Sequence, residues 1–132
     1  MSTQILTYNH PITLESGVTL PKVDIAYSTF GKMNADKSNV VWICHAFSAN
    51  SNPTEWWPGM VGEGLFFDPE KYFIVCANML GSCYGTTGPL SVNPETGKKY
   101  YKDFPIVTVR DMVQTLTILR KHLGIEKIFF AC

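Results

Sequence analysis

The sequence predicts an α/β fold in which an antiparallel meander leads into a parallel sheet with flanking helices. Three continuous apolar segments carry this prediction, namely Val40–Cys44, Tyr72–Ala77 and Ile128–Cys132. Apolar runs without alternation are typical of parallel strands that are covered on both faces. A helix with clear start and stop signals precedes the last segment, as a right-handed strand–helix–strand crossover requires.

The first thirty residues predict the meander. Strand-like segments at Ile5–Tyr8 and Ile12–Leu14 flank a short turn, and Val18–Phe30 continues in strand-like residues. Small or polar residues at positions 24, 26 and 28 alternate with apolar ones. This alternation predicts that one face of the third segment is exposed to water.

The predicted helix runs from Thr108 to Leu123. Thr108 and Asp111 have the spacing of a capping box, in which each side chain binds the backbone of the other. Apolar residues recur every three or four positions and predict one buried stripe, formed by Val109, Met112, Val113, Leu116, Leu119 and Leu123. Gly124 is placed for the left-handed residue that ends a helix, with Ile125 folding back on it.

Composition and charge narrow the class of protein. The 11 basic and 11 acidic residues cancel, which argues against a nucleic-acid-binding surface. No apolar segment approaches membrane-spanning length, and the first residues do not form a signal peptide. We therefore expect a cytoplasmic protein that has no metal site. The four cysteines, Cys44, Cys76, Cys83 and Cys132, are expected to be reduced thiols, mostly in the core.

Two loops are candidates for chemistry. Gly81–Gly85 matches the G-x-C-x-G form of a nucleophile elbow, but an elbow requires a helix directly after it, and loop residues follow here. We interpret this segment as a tight loop at the carboxyl end of a strand, where open α/β sheets bind ligands. The second loop, His45–Ser51, follows the first apolar strand and can offer a backbone N–H to a developing negative charge.

His45, the first residue of the second loop, and the tryptophan pair that follows the loop each have two interpretations. His45 is more often a hydrogen-bonded structural histidine than a base or ligand. The pair Trp56–Trp57 is more often packing than an aromatic wall of a substrate pocket.

Several segments together resemble the amino-terminal part of homoserine O-acetyltransferases, which have the α/β-hydrolase fold. The segments that carry this resemblance include LESGVTLPKVDIAYSTFGKMN, EWWPGMVGEG and NMLGSCYGTTGP, in this order and spacing. The resemblance extends over nearly the whole chain. It implies that residues 1–132 are a partial α/β-hydrolase domain, truncated before the nucleophile elbow.

The resemblance also implies a function. Acetyl would pass from acetyl-CoA to L-homoserine, in methionine biosynthesis, through an acyl-enzyme on a Ser-His-Asp triad. The triad would lie beyond Cys132, so no catalytic triad residue is expected in this chain, which would be inactive alone. The Phe47 backbone N–H corresponds to an oxyanion donor. The candidates for the substrate pocket are Ser48, Asn50, Gly81, Ser82 and Tyr84. Acetyl-CoA is a co-substrate rather than a tightly bound cofactor, and the whole enzyme is expected to be a homodimer.

The chain departs from the common family pattern His-Ala-Leu-Thr-Gly at Phe47, Ser48 and Ala49. A backbone donor tolerates these changes, but the bulky Phe47 would narrow an acyl pocket, which favours acetyl over succinyl. Two alternatives stay open: an esterase-like α/β-hydrolase, and a non-catalytic fragment that pairs with a complementing chain. Because Phe129 and Phe130 would lie uncovered at a sheet edge, the chain alone is predicted to be poorly soluble or oligomeric.

Overall fold

The computed structural model describes residues 3–132. The strands and helices are β1 (Gln4–Tyr8), β2 (Ile12–Thr13), β3 (Thr19–Leu20), β4 (Val23–Phe30), β5 (Val40–Cys44), α1 (Pro53–Trp56), β6 (Phe73–Ala77), a 3₁₀ turn (Tyr101–Asp103), α2 (Val109–His122) and β7 (Phe130–Ala131). Strands thus dominate the first third, and the single long helix precedes the last strand. This order confirms the predicted α/β fold.

The main sheet has the strand order β1-β4-β6-β5-β7, and β2 and β3 form a separate antiparallel pair. Strand β5 lies parallel to both β6 and β7, whereas β4 is antiparallel to β6. The central strands are covered on both faces, so that Ile43, Ile74 and Val75 have no exposed surface. Burial on both faces explains why these segments read as unbroken apolar runs.

The described residues divide into two compact units. The first comprises residues 3–4, 27–77 and 120–132, and the second comprises residues 5–26 and 78–119. The buried core of the first unit consists of Phe30, Val41, Ile43, Val61, Phe67, Ile74 and Cys76. This cluster joins β4, β5 and β6 to the segment that follows α1.

The predicted water-exposed face of β4 is wrong. Ala26 and Ser28 are both buried. In the second unit, the Ala26 N–H donates to the Thr86 hydroxyl at 2.9 Å, and the Ala26 carbonyl accepts the Asn78 N–H at 2.8 Å. In the first unit, Ser28 lies with its hydroxyl 3.4 Å from that of Ser51. Distant segments cover this face, which local alternation could not reveal.

Helix α2 begins and ends as predicted. Asp111 Oδ2 accepts the Thr108 N–H at 2.9 Å, and Thr108 Oγ1 accepts the Asp111 N–H at 3.3 Å. These two bonds form the capping box. At the other end, Gly124 has a φ of +67°, and the Ile125 N–H donates to the Arg120 carbonyl at 3.0 Å. This pattern is a Schellman motif.

The buried line of α2 differs from the predicted stripe. Asp111, Thr115 and Leu119 are buried, whereas Val109 and Val113 are exposed. Polar residues can occupy the buried line because the Asp111 carboxylate accepts backbone N–H groups and the Thr115 hydroxyl donates to a carbonyl one turn earlier. Satisfied hydrogen bonds remove most of the cost of burying such groups.

Strand β7 is shorter than the predicted Ile128–Cys132. Its ladder nevertheless continues on both sides, since the Phe129 N–H donates to Val40 at 2.8 Å and the Cys132 N–H donates to Trp42 at 3.1 Å. The strand lies at the edge of the sheet. Phe129 and Phe130 are exposed there, so the prediction of uncovered phenylalanines is confirmed.

Of the four cysteines, only Cys76 is buried, and the expectation that most lie in the core is wrong for Cys44 and Cys132. Both lie at strand ends, where cover is incomplete. Within residues 3–132, no helix has the length and apolar character needed to cross a bilayer. The same residues hold no cluster of three His, Cys, Asp or Glu side chains suited to a metal ion.

Candidate active site

The candidate loops begin where β5 and β6 end. The parallel register places Cys44 beside Ala77, so the carboxyl ends of both strands lie at the same end of the sheet. Residues 45–52 then lead from β5 into α1 in the first unit, and residues 78–89 follow β6 in the second unit. The carboxyl end of parallel strands is the edge at which α/β proteins bind ligands.

The loop after β5 presents the Phe47 backbone N–H as a candidate donor. Phe47 lies in a turn that is closed by a hydrogen bond from the Ala49 N–H to the Ala46 carbonyl at 2.9 Å. Across residues 3–132, the Phe47 N–H donates no hydrogen bond, and the Phe47 ring is fully exposed. An accessible N–H without an internal partner is what an oxyanion donor requires.

The remaining predicted residues of this loop have different environments. The Ser48 side chain is exposed. The His45 ring lies with Nδ1 2.8 Å from the Ala46 carbonyl, so Nδ1 carries the proton in this contact. This bond favours the structural interpretation of the histidine.

Asn50 ties the loop to α1. Its Nδ2 donates to Glu55 at 3.0 Å, its Oδ1 accepts the Asn52 N–H at 2.7 Å, and its carbonyl accepts the Trp56 indole N–H at 2.8 Å. The side chain that was predicted to line a substrate pocket is therefore engaged within the loop. The sequence analysis missed this role, although the Asn-x-Asn-Pro pattern ahead of a helix is typical of side-chain turns.

Glu55 accepts two amide donors at once. Asn50 Nδ2 reaches one carboxylate oxygen at 3.0 Å, and Asn52 Nδ2 reaches the other at 2.9 Å. These hydrogen bonds lower the pKa of Glu55 below its ordinary value. The carboxylate form therefore holds the two asparagines at neutral pH.

The two tryptophans take part in packing. Their rings are stacked with centroids 5.7 Å apart, and Trp57 also contacts Phe67 at 6.0 Å. Both rings pack against the core of the first unit. These contacts favour the packing interpretation over the aromatic wall.

The loop after β6 is tightly wound. Gly81 has a φ of +89°. A side chain at Gly88 would bring its Cβ within 2.5 Å of the Ser82 carbonyl oxygen. No helix follows Cys83 before the 3₁₀ turn at Tyr101. This geometry agrees with a tight loop and lacks the helix that an elbow needs.

Two threonines that the sequence analysis missed hold this loop to β4. The Thr87 hydroxyl accepts the Asp24 N–H at 2.8 Å, and the Thr87 N–H donates to the Asp24 carbonyl at 2.9 Å. The Thr86 hydroxyl accepts the N–H of Ala26, also on β4, at 2.9 Å. No local pattern signals these bonds, because their partners on β4 are about sixty residues away.

The other predicted residues of this loop differ in exposure. Tyr84 is exposed, and its carbonyl accepts the Asn78 side-chain amide at 2.8 Å. The Ser82 hydroxyl oxygen is buried and has no hydrogen-bond partner among the described residues. A buried hydroxyl without a partner is costly.

Comparison with known proteins assigns this architecture to a class. A family model described as the alpha/beta hydrolase fold matches residues 39–131, which include both loops. The chain therefore belongs to the α/β-hydrolase fold family.

Within that class, the chain is 53% identical over 128 residues to a homoserine O-acetyltransferase from Cyclobacterium marinum, covering 97% of this chain and 36% of that protein. A crystal structure of homoserine O-acetyltransferase from Bacillus anthracis superposes with a TM-score of 0.88 at 33% identity, covering 98% of this chain and 39% of that one. A crystal structure of esterase E22 superposes with a TM-score of 0.86 at 29% identity, with the same coverage of 98% and 39%.

The chain thus spans little more than a third of the length of these proteins. The resemblance to homoserine O-acetyltransferases that the sequence motifs indicated is confirmed by the named relatives.

Proposed function

We propose that these 132 residues form part of an acyltransferase that moves acetyl from acetyl-CoA to the hydroxyl of L-homoserine, a step of methionine biosynthesis. The observation that carries the proposal is the 53% identity over 97% of the chain with a protein named homoserine O-acetyltransferase. The accessible Phe47 N–H supports it, because acyl transfer needs a donor for the oxyanion.

In the proposed mechanism a serine hydroxyl attacks the thioester carbonyl and passes its proton to a histidine that an aspartate orients. The carbonyl oxygen gains the negative charge, and the Phe47 N–H donates to it. Collapse of this intermediate expels the CoA thiolate, which takes the proton from the histidine and leaves acetyl-serine. The homoserine hydroxyl then attacks the acetyl-serine and loses its proton to the histidine, which returns it to the serine as O-acetylhomoserine departs.

We propose that the serine, aspartate and histidine lie outside these 132 residues, so that the chain alone is inactive. One accessible oxyanion donor does not supply a nucleophile or a base. The test compares the isolated chain with the complete enzyme in an assay for CoA thiol release. Release by the isolated chain at a rate near that of the complete enzyme would refute this part of the proposal.

The second candidate function is ester hydrolysis. The similarity to the crystal structure of esterase E22, with a TM-score of 0.86, favours it, because an acyl-enzyme is hydrolysed when water is the acceptor. The two functions differ in the acceptor, so the complete enzyme is assayed with acetyl-CoA in the presence and absence of L-homoserine. Thiol release that depends on homoserine supports transfer, whereas equal release without homoserine supports hydrolysis.

We further propose that Phe47 favours acetyl over succinyl as the acyl group. Its ring is fully exposed beside the donor N–H, where it would restrict the space for a longer acyl chain. A comparison of acetyl-CoA with succinyl-CoA in the complete enzyme tests this. A higher kcat/KM with succinyl-CoA would contradict it.

The remaining proposals concern location, assembly and cofactors. We propose a cytoplasmic homodimer that uses acetyl-CoA as a co-substrate and holds no tightly bound cofactor. Sedimentation of the complete enzyme tests the dimer, and mass spectrometry of the purified protein under native conditions tests for a retained cofactor.

A further inference from the structure

We propose that Trp56 is a positioning residue for the oxyanion donor. Its indole N–H holds the Asn50 carbonyl and thereby fixes the loop that carries the Phe47 N–H. The inference rests on the proposed function, because that function makes Phe47 a donor.

The donor loop needs an anchor outside itself. An oxyanion donor is effective only when its supporting residues hold it within about half an ångström of its place. The bond from the Ala49 N–H to the Ala46 carbonyl shapes the turn around Phe47, but it joins two residues of the same loop. It cannot fix the turn relative to the sheet.

Asn50 supplies the anchor at the end of this turn. Its carbonyl accepts the Trp56 indole N–H at 2.8 Å and lies 3.9 Å from the thiol of Cys76 on β6. The first is a well-formed hydrogen bond, and the second is a weak one. The indole is therefore the main donor to this carbonyl, three residues from Phe47.

Trp56 is itself held rigidly. Its ring stacks on Trp57 with 9° between the planes, and both rings pack against the core of the first unit. A donor whose ring is fixed by packing keeps its N–H in one direction. The Trp56 indole thus connects the core to the Asn50 carbonyl, and a short turn connects Asn50 to the Phe47 N–H.

Trp57 provides a matched control. It is adjacent to Trp56, has the same side chain and packs against the same core. Within the described residues, its indole N–H donates no hydrogen bond. Replacing either tryptophan by phenylalanine removes a similar aromatic area, but only W56F removes the bond to Asn50.

The experiment compares W56F and W57F in the complete enzyme by two measurements. The first is kcat and KM for acetyl transfer, and the second is amide hydrogen exchange of the peptide that covers residues 45–52. We expect W56F to lower kcat about tenfold with little change in KM and to accelerate exchange of the loop. W57F should leave the exchange of the loop unchanged.

Loop exchange that is the same in W56F as in the wild type, or equally faster in both variants, would overturn the inference. If the complete wild-type enzyme transfers no acetyl group, the proposed function fails, and hydrogen exchange alone decides the role of Trp56. If W56F does not fold, benzothienylalanine at position 56 replaces the N–H by sulfur and keeps the ring shape. Its loop exchange is then judged by the same criterion.

Discussion

At Phe47 the backbone and the side chain have different proposed roles. The donor is the N–H, which every residue except proline carries, while the exposed ring can act only through the space that it occupies. F47P in the complete enzyme should lower kcat by about 100- to 1,000-fold, the usual cost of removing one oxyanion donor.

The matched variant is F47L, which keeps the N–H. It should retain kcat with acetyl-CoA within a few-fold and raise the relative rate with succinyl-CoA. Equal losses of kcat in F47P and F47L would show that the side chain, and not the backbone, supports catalysis.

The cysteines should differ widely in reactivity. Burial raises the pKa of Cys76 to about 12, with the nearby Cys44 and Cys132 thiols adding to the shift. At pH 8 roughly one Cys76 thiol in ten thousand is then ionised, and the thiolate is the reactive form. Cys83 is exposed.

Alkylation with iodoacetamide at pH 8, followed by mass spectrometry of the labelled peptides, should therefore label Cys83 first. Cys76 should react only after denaturation. Early labelling of Cys76 in the native protein would contradict its burial.

At the scale of residues, the sequence indicates where a loop lies better than it indicates which hydrogen bonds the loop's side chains form. Phe47 lies in an accessible turn as its place after a buried strand indicates. Asn50 stays a predicted pocket residue, and the sequence did not indicate that its polar atoms bind Glu55, Asn52 and Trp56. Hydrogen bonds of this kind depend on the exact path of a loop, which no periodic pattern encodes.

Among the elements, α2 is tied to the turn between β2 and β3 through one carboxylate. Asp111 accepts the Glu15 N–H and the Thr108 N–H, each at 2.9 Å. Glu15 also accepts the Thr108 hydroxyl and pairs with Arg110 at 3.1 Å. The helix start is thus fixed by a segment that lies about ninety residues earlier in the chain.

This arrangement makes stability depend on pH. Burial alone would raise the pKa of Asp111, but the hydrogen bonds from Thr108 and Glu15 hold it below its ordinary value. A carboxyl group with a lowered folded-state pKa stabilises the protein above its unfolded pKa of about 3.9. That stabilisation is lost as the pH falls through the folded-state pKa.

D111N should therefore lower the melting temperature at pH 7 more than at pH 3. D111A should cost about 1–3 kcal/mol at pH 7, because it leaves buried N–H groups without acceptors. D103N, at an exposed aspartate, is the control and should change little. Parallel losses for D111N at both pH values would contradict the role of the charge.

At the scale of elements, the two ends of α2 were predictable because capping motifs are local. Thr108 with Asp111 at one end and Gly124 at the other need only neighbouring backbone groups. The buried line of the helix was not predictable in the same way. Val109 and Val113 are apolar but exposed, because the segments that pack on α2 cover the line through Thr115 instead.

The molecule as a whole has an apolar edge. A cavity of about 150 Å³ lies beside β7 in the first unit and is lined by Val41, Phe66, Phe67, Tyr72, Phe129 and Phe130. An exposed sheet edge that carries apolar side chains is a template for association. A fully exposed phenylalanine forgoes about 1.5–3 kcal/mol of burial, and Phe129 and Phe130 are partly exposed.

The 132-residue chain expressed alone should therefore self-associate in sedimentation. Replacing Phe129 and Phe130 together by serine should shift the distribution toward monomer. I106E alters an exposed apolar residue of the second unit and is the control that should not. A monodisperse monomer of the unmodified chain would contradict the prediction.

The topology of the whole molecule was predictable where burial of a strand on both faces leaves an apolar run in the sequence. Val40–Cys44 and Phe73–Ala77 pair in parallel, and burial on both faces makes their sequences apolar runs. The capped helix leads into β7. The exposed face predicted for β4 failed for the same physical reason. Residues 78–88 return to cover Ala26, and return paths over many residues leave no periodic signal.

The crowding at Gly88 has a consequence for directed evolution. Because a methyl group there would meet a carbonyl oxygen at 2.5 Å, selection from a randomised library should recover glycine at that codon almost without exception. The Tyr84 codon, in the same loop, should accept many replacements, since the tyrosine side chain is exposed to solvent. Random codons introduced to broaden the range of substrates are therefore best placed at position 84, and the Gly88 codon is best left unchanged.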